Sequence, residues 1–462
     1  MYRKIGFLLG TLCCVSCTLG PNFSSPEIYS DAVVQNELNL KKDGKLPQNW
    51  YKNFDDEYLQ KLIISGLENN TDIAIATAKL KQARLTAKVN QTDFLPQISA
   101  KGGYNYQKGS ENIKYSENAH YYSAGFDASW ELDLWGKGRR QTEADEANIK
   151  TSEYSLSNLK TVIAAEIATD YIELRKNIKY LNLARRNAEL QKQIFDVVEA
   201  EYRSGLSDET AYNQAQYLLN DTMSLIPQYE SNIENYKNAL SVLTGILPSQ
   251  LTIPQNTKLL GKIDYSFSSD MRVLPISVIR LRPDVAAAEQ KLKAQNALIG
   301  KAIAELYPDV NISGLFGYSA QSGKKLFSSE SEAYSYAPAF YLPLLDWNKL
   351  KNNIEIQKQE KEIALEDYKH TVLNALSELK NSFSNYQSSL ITYQNKIKAQ
   401  NNMQRVADLT LRKYKNGMVK FSEVLDSEQK LISAQEDTVA ARAEIMQNII
   451  AYYKSSGATI DN

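Results

Sequence analysis

Two carboxylates near the end of the chain are spaced so that they could act together on cations or protons. Glu423 and Asp426 are three residues apart in a segment with helical periodicity, so they share one helix face. Several such pairs held close together would repel one another unless cations or protonation compensated the charge. The alternative interpretation is that Glu423 and Asp426 lie on a solvated helix face, as most charged residues do.

Residues suited to catalysis or to metal binding are scarce. The two histidines, His120 and His370, fall in a predicted loop and a predicted helix, which leaves little material for a histidine metal site or a nucleophile–histidine pair. The segment 317–324 resembles a phosphate-binding loop, but it is one residue too long, and Lys325 stands where Ser or Thr is required. We therefore predict that the protein is not an enzyme and has no metal site or cofactor.

The start of the chain predicts export and acylation. Residues 1–16 combine two basic residues, an apolar run and a small residue before Cys17, as secretory signal peptides do. The tetrapeptide that ends at Cys17 resembles a bacterial lipobox, although leucine is usual at its first position. Several acyl chains on Cys17 would give stable anchoring. By resemblance to other bacterial lipoproteins, a residue that is not acidic at Thr18 implies sorting to the outer membrane. A buried N-terminal helix is the alternative.

Alternating residues in two stretches predict β-strands in the first half of the chain. Residues 97–107 and 121–133 carry apolar or aromatic side chains at every second position. Strands of roughly ten residues with one apolar and one polar face suit the wall of a membrane barrel. The 29 tyrosines, against 12 phenylalanines, fit rings that lie at a membrane interface. Alternation returns at 309–319 and 333–342, where Pro338 weakens the last strand.

The chain contains an internal duplication. A shift of 212 residues lays Pro96 on Pro308 and Trp135 on Trp347, without net insertion. The predicted organisation is a signal peptide at 1–16, an acylated extended segment at 17–55, a first repeat at 56–247, an inter-repeat equatorial segment at 248–282, a second repeat at 283–457 and a tail at 458–462.

Helical periodicity predicts two very long helices and two shorter ones. The expected ranges are 139–202, 208–243, 348–414 and 421–453. A near-heptad apolar stripe from Ile163 to Leu181 recurs in the second repeat and indicates coiled-coil-like packing. At 1.5 Å per residue, roughly 65 helical residues span about 100 Å, a length that no compact domain needs.

Four membrane strands per chain cannot form a closed wall. Two edges would expose unpaired backbone groups to lipid, so the wall must be shared between subunits. A dimer would supply eight strands and a trimer twelve, and the pattern alone leaves both open. The net charge of −1 gives no reason to expect a nucleic-acid partner.

Several segments, in order along the mature chain, resemble TolC-type outer-membrane factors of the lipoprotein (NodT/OprM-like) branch. They are Cys17-Thr18-Leu19-Gly20-Pro21-Asn22-Phe23 with Pro26, Trp50 with Phe54, Leu132-Asp133-Leu134-Trp135-Gly136-Lys137, Tyr202-Arg203-Ser204-Gly205-Leu206 and Arg282-Pro283-Asp284-Val285-Ala286-Ala287-Ala288-Glu289. The resemblance implies a mainly α-helical chain with a membrane β-barrel: a homotrimer whose twelve strands are continued by a helical periplasmic barrel. Such a protein is the exit duct of a tripartite efflux system in the outer membrane.

The resemblance also assigns roles to particular positions. The family's adaptor-docking turns match Arg203, Ser204, Gly205, Leu206, Asn416, Gly417 and Met418. Ordinary helical hairpin turns are the alternative there. Glu423 and Asp426 match an acidic pair at the family's periplasmic gate, with Glu in place of the commoner Asp at the first position. Trp135 and Trp347 stand where strands meet helices, where membrane-interface anchoring and tight packing are both expected.

The partners implied by the resemblance are a periplasmic membrane-fusion adaptor, an inner-membrane transporter and outer-membrane lipid. A transporter of the RND type is favoured, with ABC and MFS types as alternatives. The rival functional class is a lipid-anchored periplasmic adaptor or coiled-coil scaffold, which would lack four membrane-length strands in duplicated positions. The exported compounds do not follow from the sequence.

Overall fold

A computed structural model describes residues 18–26, 28, 49–54, 56–109, 112, 119–254, 278–458 and 460. The helices are α1 (Glu57–Asn69), α2 (Thr71–Thr92), α3 (Lys137–Arg203), α4 (Glu209–Thr244), α5 (Val278–Leu281), α6 (Pro283–Ala304), α7 (Trp347–Lys415) and α8 (Phe421–Ser455). The strands are β1 (Gln97–Gln107), β2 (Ala119–Leu132), β3 (Asp309–Ala320) and β4 (Glu332–Tyr341). The predicted signal peptide, Cys17 and most of the predicted extended and inter-repeat segments lie outside the described residues.

Local capping explains where the first helices begin. The Asp56 carboxylate accepts hydrogen bonds from the backbone N–H groups of Tyr58 and Leu59, which starts α1. The Asn70 side chain does the same for Asp72 and Ile73 and starts α2. Both caps satisfy N–H groups that have no partner within the helix.

The internal duplication is confirmed by strand register and by helix bounds. β1 pairs with β2 so that Gln97 lies opposite Ser129, and β3 pairs with β4 so that Asp309 lies opposite Tyr341. These two registers are related by the same 212-residue shift that relates Thr71–Thr92 to Pro283–Ala304. The two copies therefore form the same hairpin and the same preceding helix.

One antiparallel sheet contains all four described strands in the order β1-β2-β3-β4. The link between the two repeats is the pairing of β2 with β3, in which Phe126 lies opposite Phe316. β1 and β4 are the edge strands, and each has one side without a strand partner among the described residues of the chain. Pro338 lies in β4, where an edge position tolerates a residue without a backbone N–H.

Two compact units divide the chain. The first takes its described residues from 1–27, 78–153 and 286–370, and it contains the sheet. The second consists of the described parts of 28–77, 154–285 and 371–462, and it is helical. Its largest fully buried side chains include Trp50, which stacks on Tyr453, and Tyr171 of the predicted apolar stripe. No helix among the described residues is both long enough and apolar enough to cross a membrane.

Candidate functional site

One face of the sheet is apolar and exposed. Its members alternate along all four strands and include Tyr104, Tyr106, Phe126, Ala128, Trp130, Ile312, Phe316, Tyr334, Tyr336 and Phe340. Tyr336 and Phe340 are 81% and 80% exposed, and the other large side chains of this face range from 38% for Ile312 to 74% for Tyr334. A soluble monomer rarely leaves such a patch uncovered, whereas the outer wall of a membrane barrel presents one to lipid.

The opposite face of the sheet is polar, and it is the concave one. Lys101 and Asp127 form an ion pair of 2.8 Å on it. Gly125 and Gly317 lie opposite each other there. A Cβ built on Gly125 would lie 2.8 Å from the Gly317 Cα, and one built on Gly317 would lie 2.6 Å from the Gly125 Cα. Substituents on one face converge where the sheet curves toward that face, so the sheet curves toward its polar face at this pair.

The two junction tryptophans have different surroundings in the chain. The Trp135 indole N–H donates a 2.8 Å hydrogen bond to the Pro308 carbonyl, and its ring packs on Tyr307 at 5.0 Å between centroids. Trp347 remains 39% exposed, with the Lys351 ammonium 5.7 Å from its ring centroid. Trp135 is thus a packing residue of the strand–helix junction, and membrane-interface anchoring stays a prediction for both.

A buried arginine that sequence reasoning missed binds the start of the described chain. The Arg140 guanidinium donates hydrogen bonds to the carbonyls of Leu19 and Gly20, at 2.9 and 3.1 Å, and to the Asn22 side chain at 3.0 Å. Its remaining nitrogen pairs with Glu143 at 2.7 Å. The Arg-Arg sequence after the predicted hairpin was visible, but its partner lies more than 100 residues away.

Both predicted docking tips are open turns at the ends of long helices. Gly205 and Gly417 have φ angles of +72° and +67°, the left-handed conformation that ends a helix and favours glycine. The apolar side chains beside them project outward, with Leu206 81% and Met418 70% exposed. A cluster beneath the tips joins the ends of α3, α4 and α8 through the buried side chains Phe195, Val198, Ala215, Leu219, Phe421 and Val424. The end of α7 packs against this cluster through the partly buried Leu411 and Tyr414.

The two carboxylates singled out by spacing share the exposed face at the start of α8. Phe421 and Val424 occupy the buried face of the same turns, which leaves Glu423 and Asp426 in solvent in the single chain. The Asp426 carboxylate forms an ion pair of 2.7 Å with the Lys430 ammonium, one helical turn further on. This lysine was not singled out from the sequence, although the four-residue spacing would have allowed it.

A second acidic row lies on α3, at Glu166, Asp170 and Glu173. Burial, together with the neighbouring charges of Glu166 and Glu173, raises the pKa of the Asp170 carboxyl to about 6. Glu173 accepts hydrogen bonds from Tyr236 and Gln447, at 3.2 and 2.6 Å. We assign this row no transport role.

The raised pKa of Asp170 predicts a pH-dependent stability. A carboxyl whose pKa is higher in the folded protein than in the unfolded one stabilises the fold when it is protonated. For Asp170 this stabilisation is fully present below the pKa of the unfolded state, and it is lost as the pH rises through about 6. Asp170→Asn should therefore raise the free energy of unfolding by about 1 kcal/mol at about pH 8, after allowance for solvent screening. At about pH 4 the variant and the parent should have the same thermal midpoint. An equal increase in the stability of the variant at about pH 4 and at about pH 8 would contradict this explanation.

The chain belongs to the outer membrane efflux protein family. The family description "Outer membrane efflux protein" matches residues 62–246 and 274–458, which are two copies at the spacing of the duplication. These matched segments cover most of the chain and both hairpins.

Individual relatives agree along nearly the whole length. The chain is 24% identical to the cation efflux system protein CusC of Escherichia coli K12, covering 96% of this chain and 97% of the relative. It is 26% identical to the probable outer membrane lipoprotein SilC of Salmonella typhimurium, covering 92% and 91%. The structure of the outer-membrane channel OprN is similar with a TM-score of 0.86 at 29% identity, covering 96% of this chain and 99% of that one.

These findings confirm the predicted family, fold class, location and general function. The protein is an outer-membrane channel of the tripartite efflux type, mainly α-helical, with a membrane β-barrel built from four strands per chain. The relatives are named as an efflux system protein and as an outer-membrane channel. The family is thus one of channels, and the predicted adaptor or scaffold alternative is not supported.

Proposed function

We propose that three copies of this chain form a duct whose cargo is selected by the transporter and adaptor that feed it. The observation that carries the proposal is the duplicated sheet, with an exposed apolar face, a concave polar face and two edges that lack a strand partner among the strands that the structure describes. Twelve strands would leave a lumen, whereas eight would leave an interior filled by side chains. Relatives are named for the efflux of cations, antibiotics and toluene, which favours selection outside the duct. An RND-type transporter is the favoured partner, with ABC and MFS types as alternatives.

The duct proposal is tested by the mass and the conductance of the detergent-purified protein. We expect the mass of three chains and stepwise currents in planar bilayers. A stable single subunit, or insertion into bilayers without current, would overturn the proposal.

Glu423 and Asp426 form the periplasmic gate in this proposal. Both carboxylates are exposed on one face of α8, and the matching positions in the first repeat, Ala211 and Gln214, are uncharged. Three copies would place six carboxylates around one constriction, with Lys430 one turn away as a partial counter-charge. Di- or trivalent cations would bind such a ring and obstruct the current.

The gate predicts opposite effects for the acids and for the lysine. Glu423→Ala combined with Asp426→Ala should reduce the apparent affinity of a blocking trivalent cation at least about tenfold, because the anionic ligands are gone. Lys430→Ala should strengthen the block, because it frees the Asp426 carboxylate. Single-channel recording measures both, with Glu234→Ala, an exposed acid on α4, as the control. Unchanged block in the double variant would remove these carboxylates from the gate.

The remaining assignments concern docking and anchoring. The adaptor would dock at the open tips, where Leu206 and Met418 offer apolar contacts at the ends of fixed helices. Cys17 would carry the acyl chains. The nearby Leu19, Gly20 and Asn22 are bound to Arg140 beside the strand–helix junction, which would hold the acylated end there. No resident cofactor is proposed beyond this lipid. Mass spectrometry of the N-terminal peptide tests the acylation, and an unmodified Cys17 would contradict it.

A further inference from the structure

A structured loop joins β3 to β4 at the end of the sheet away from the long helices. It comprises residues 321–331 and contains two short 3-10 turns. The Lys325 carbonyl, at the end of the first turn, accepts hydrogen bonds from the Ser328 backbone N–H at 3.0 Å and from the Ser331 hydroxyl at 2.8 Å. Because this backbone is already ordered, less conformational entropy is lost when a ligand binds to its side chains.

This β3–β4 loop leans onto the apolar face of the sheet. The Phe327 ring contacts the Tyr318 ring edge-on, with 5.6 Å between the centroids. Gly323 lies over the Tyr122 ring, since a Cβ built on it would be 3.8 Å from that ring. Tyr122 and Tyr318 belong to the apolar face, because each lies an even number of residues from the members of that face on its own strand. The loop therefore leans toward lipid and not toward the polar face.

Phe327 adds an exposed aromatic ring at the outer end of this face. Despite its contact with Tyr318, the residue is 74% exposed. The long helices of this outer-membrane channel extend into the periplasm, so the β3–β4 loop lies at the outer surface. Aromatic rings at the rim of a membrane barrel lie where acyl chains meet headgroups, and Phe327 is placed at that level.

Two lysines precede this ring along the loop. Lys324 and Lys325 are exposed, and neither forms an ion pair with any residue that the structure describes. Their ammonium groups are thus available at the level of the headgroups of the outer leaflet. In a bacterial outer membrane that leaflet consists largely of a glycolipid whose sugar headgroup carries phosphates. A lysine ammonium attracts such phosphates, and each lysine near the membrane surface adds to the attraction.

We propose that Lys324, Lys325 and Phe327 form a binding surface for a phosphorylated glycolipid of the outer leaflet. The two ammonium groups contact a phosphate of the headgroup, while the Phe327 ring packs on an acyl chain beneath it. The surface continues the apolar face of the sheet, which the family places in the membrane. The proposal requires the outer-membrane location alone, and it holds whatever the number of subunits and the cargo.

Two carboxylates near the lysines oppose this contact unless a divalent cation bridges them to the phosphate. Glu330 and Glu332 are exposed, and Glu332 lies opposite Tyr318 at the start of β4. Like charges repel, so these carboxylates weaken the binding of a bare phosphate. In the presence of a chelator, the lysines and the carboxylates should therefore have opposite effects on binding.

Binding of lipid A to the full-length protein in detergent tests the proposal. Native mass spectrometry in the presence of EDTA counts the bound lipid as its concentration is raised. We expect Lys324→Gln/Lys325→Gln to reduce the apparent affinity for diphosphorylated lipid A at least about tenfold, because both attracting charges are gone. Lipid A without its phosphates should bind the parent no better than the phosphorylated lipid binds this variant. Equal affinity of parent and variant, or equal affinity for the two lipids, would overturn the proposal.

The matched control removes two lysines elsewhere in the chain. Lys79 and Lys81 are exposed on α2, so Lys79→Gln/Lys81→Gln changes the net charge equally and should bind lipid A as the parent does. A loss as large as that of the loop variant would show attraction by net charge alone and would contradict the assigned site. Glu330→Gln/Glu332→Gln should raise the affinity at least about threefold, and a decrease would also contradict it.

Two further measurements separate the glycolipid from free phosphate and the binding surface from the duct. A large excess of inorganic phosphate should leave the binding of lipid A nearly unchanged, because it offers nothing for Phe327 to contact. Full displacement would show a simple anion site and would overturn the assignment to a lipid. Single-channel currents of Lys324→Gln/Lys325→Gln in phospholipid bilayers should match those of the parent, and altered currents would place these lysines at the mouth of the duct instead.

Discussion

Replacing Arg282 with alanine lowers the free energy of unfolding by about 3 kcal/mol, which makes it one of the two most damaging substitutions that we expect. The Arg282 side chain is buried and donates a 2.9 Å hydrogen bond to the Ser455 carbonyl near the end of α8. It also forms ion pairs of 2.7 Å with Asp284 and Glu378. Alanine would leave these acceptors without their donor and would leave a void. The thermal or denaturant midpoint of the purified protein measures the loss.

The other repeat provides a matched control for Arg282. The counterpart of Arg282 is Asn70, whose side-chain amide donates a 2.9 Å hydrogen bond to the Leu243 carbonyl, the counterpart of Ser455. Asn70→Ala removes a neutral bond and a helix cap, and should cost about 1.5 kcal/mol. Arg282→Asn should recover part of the loss by capping α6 as Asn70 caps α2. Equal losses in the two alanine variants would show that the ion pairs of Arg282 contribute nothing.

Replacing Gly125 with valine should prevent the sheet from forming its part of the closed barrel wall. A Cβ at this position would lie 2.6 Å from the Phe316 carbonyl oxygen, which belongs to the ladder that joins the two repeats. Neither backbone can move without breaking that ladder, so we expect a cost of about 3 kcal/mol or more. The amount of heat-resistant trimer in the outer membrane, compared with the total protein by immunoblot, measures the defect.

Gly103 is the control for Gly125, because it lies on the same polar face of the same sheet. A Cβ built there meets no atom within 4 Å, so Gly103→Val should assemble and conduct nearly as the parent does. If both valine variants assembled equally well, the close approach of β2 and β3 would not be a requirement of the wall. If both failed, the defect would be due to valine on the polar face and not to the β2–β3 contact.

Much of the fold followed from periodicity, which is a local property of the chain. Alternation at every second residue placed β1, β3 and β4 within one residue of their observed bounds and β2 within two. The long helices α3 and α7 also begin and end within two residues of the predicted ranges. Gly205 and Gly417 marked the turns because a left-handed helix end favours glycine whatever the helix packs against.

The candidate site was predicted less completely. Spacing placed Glu423 and Asp426 on one helix face, and the structure shows that this face is exposed. Whether it faces a constriction depends on other copies of the chain, so the gate stays a proposal. The role of Trp135 at its junction needed the position of Pro308, which lies 173 residues further along the chain.

The sequence by itself determined the strands, the long helices, the duplication and the family, because each is encoded in repeated residue types at short or constant spacing. Only the tertiary structure decided which face of the sheet is concave, what Arg140 binds and toward which face the β3–β4 loop leans. These are contacts between segments that are distant along the chain. They depend on how the backbones approach one another, and no pattern along a single chain records that distance.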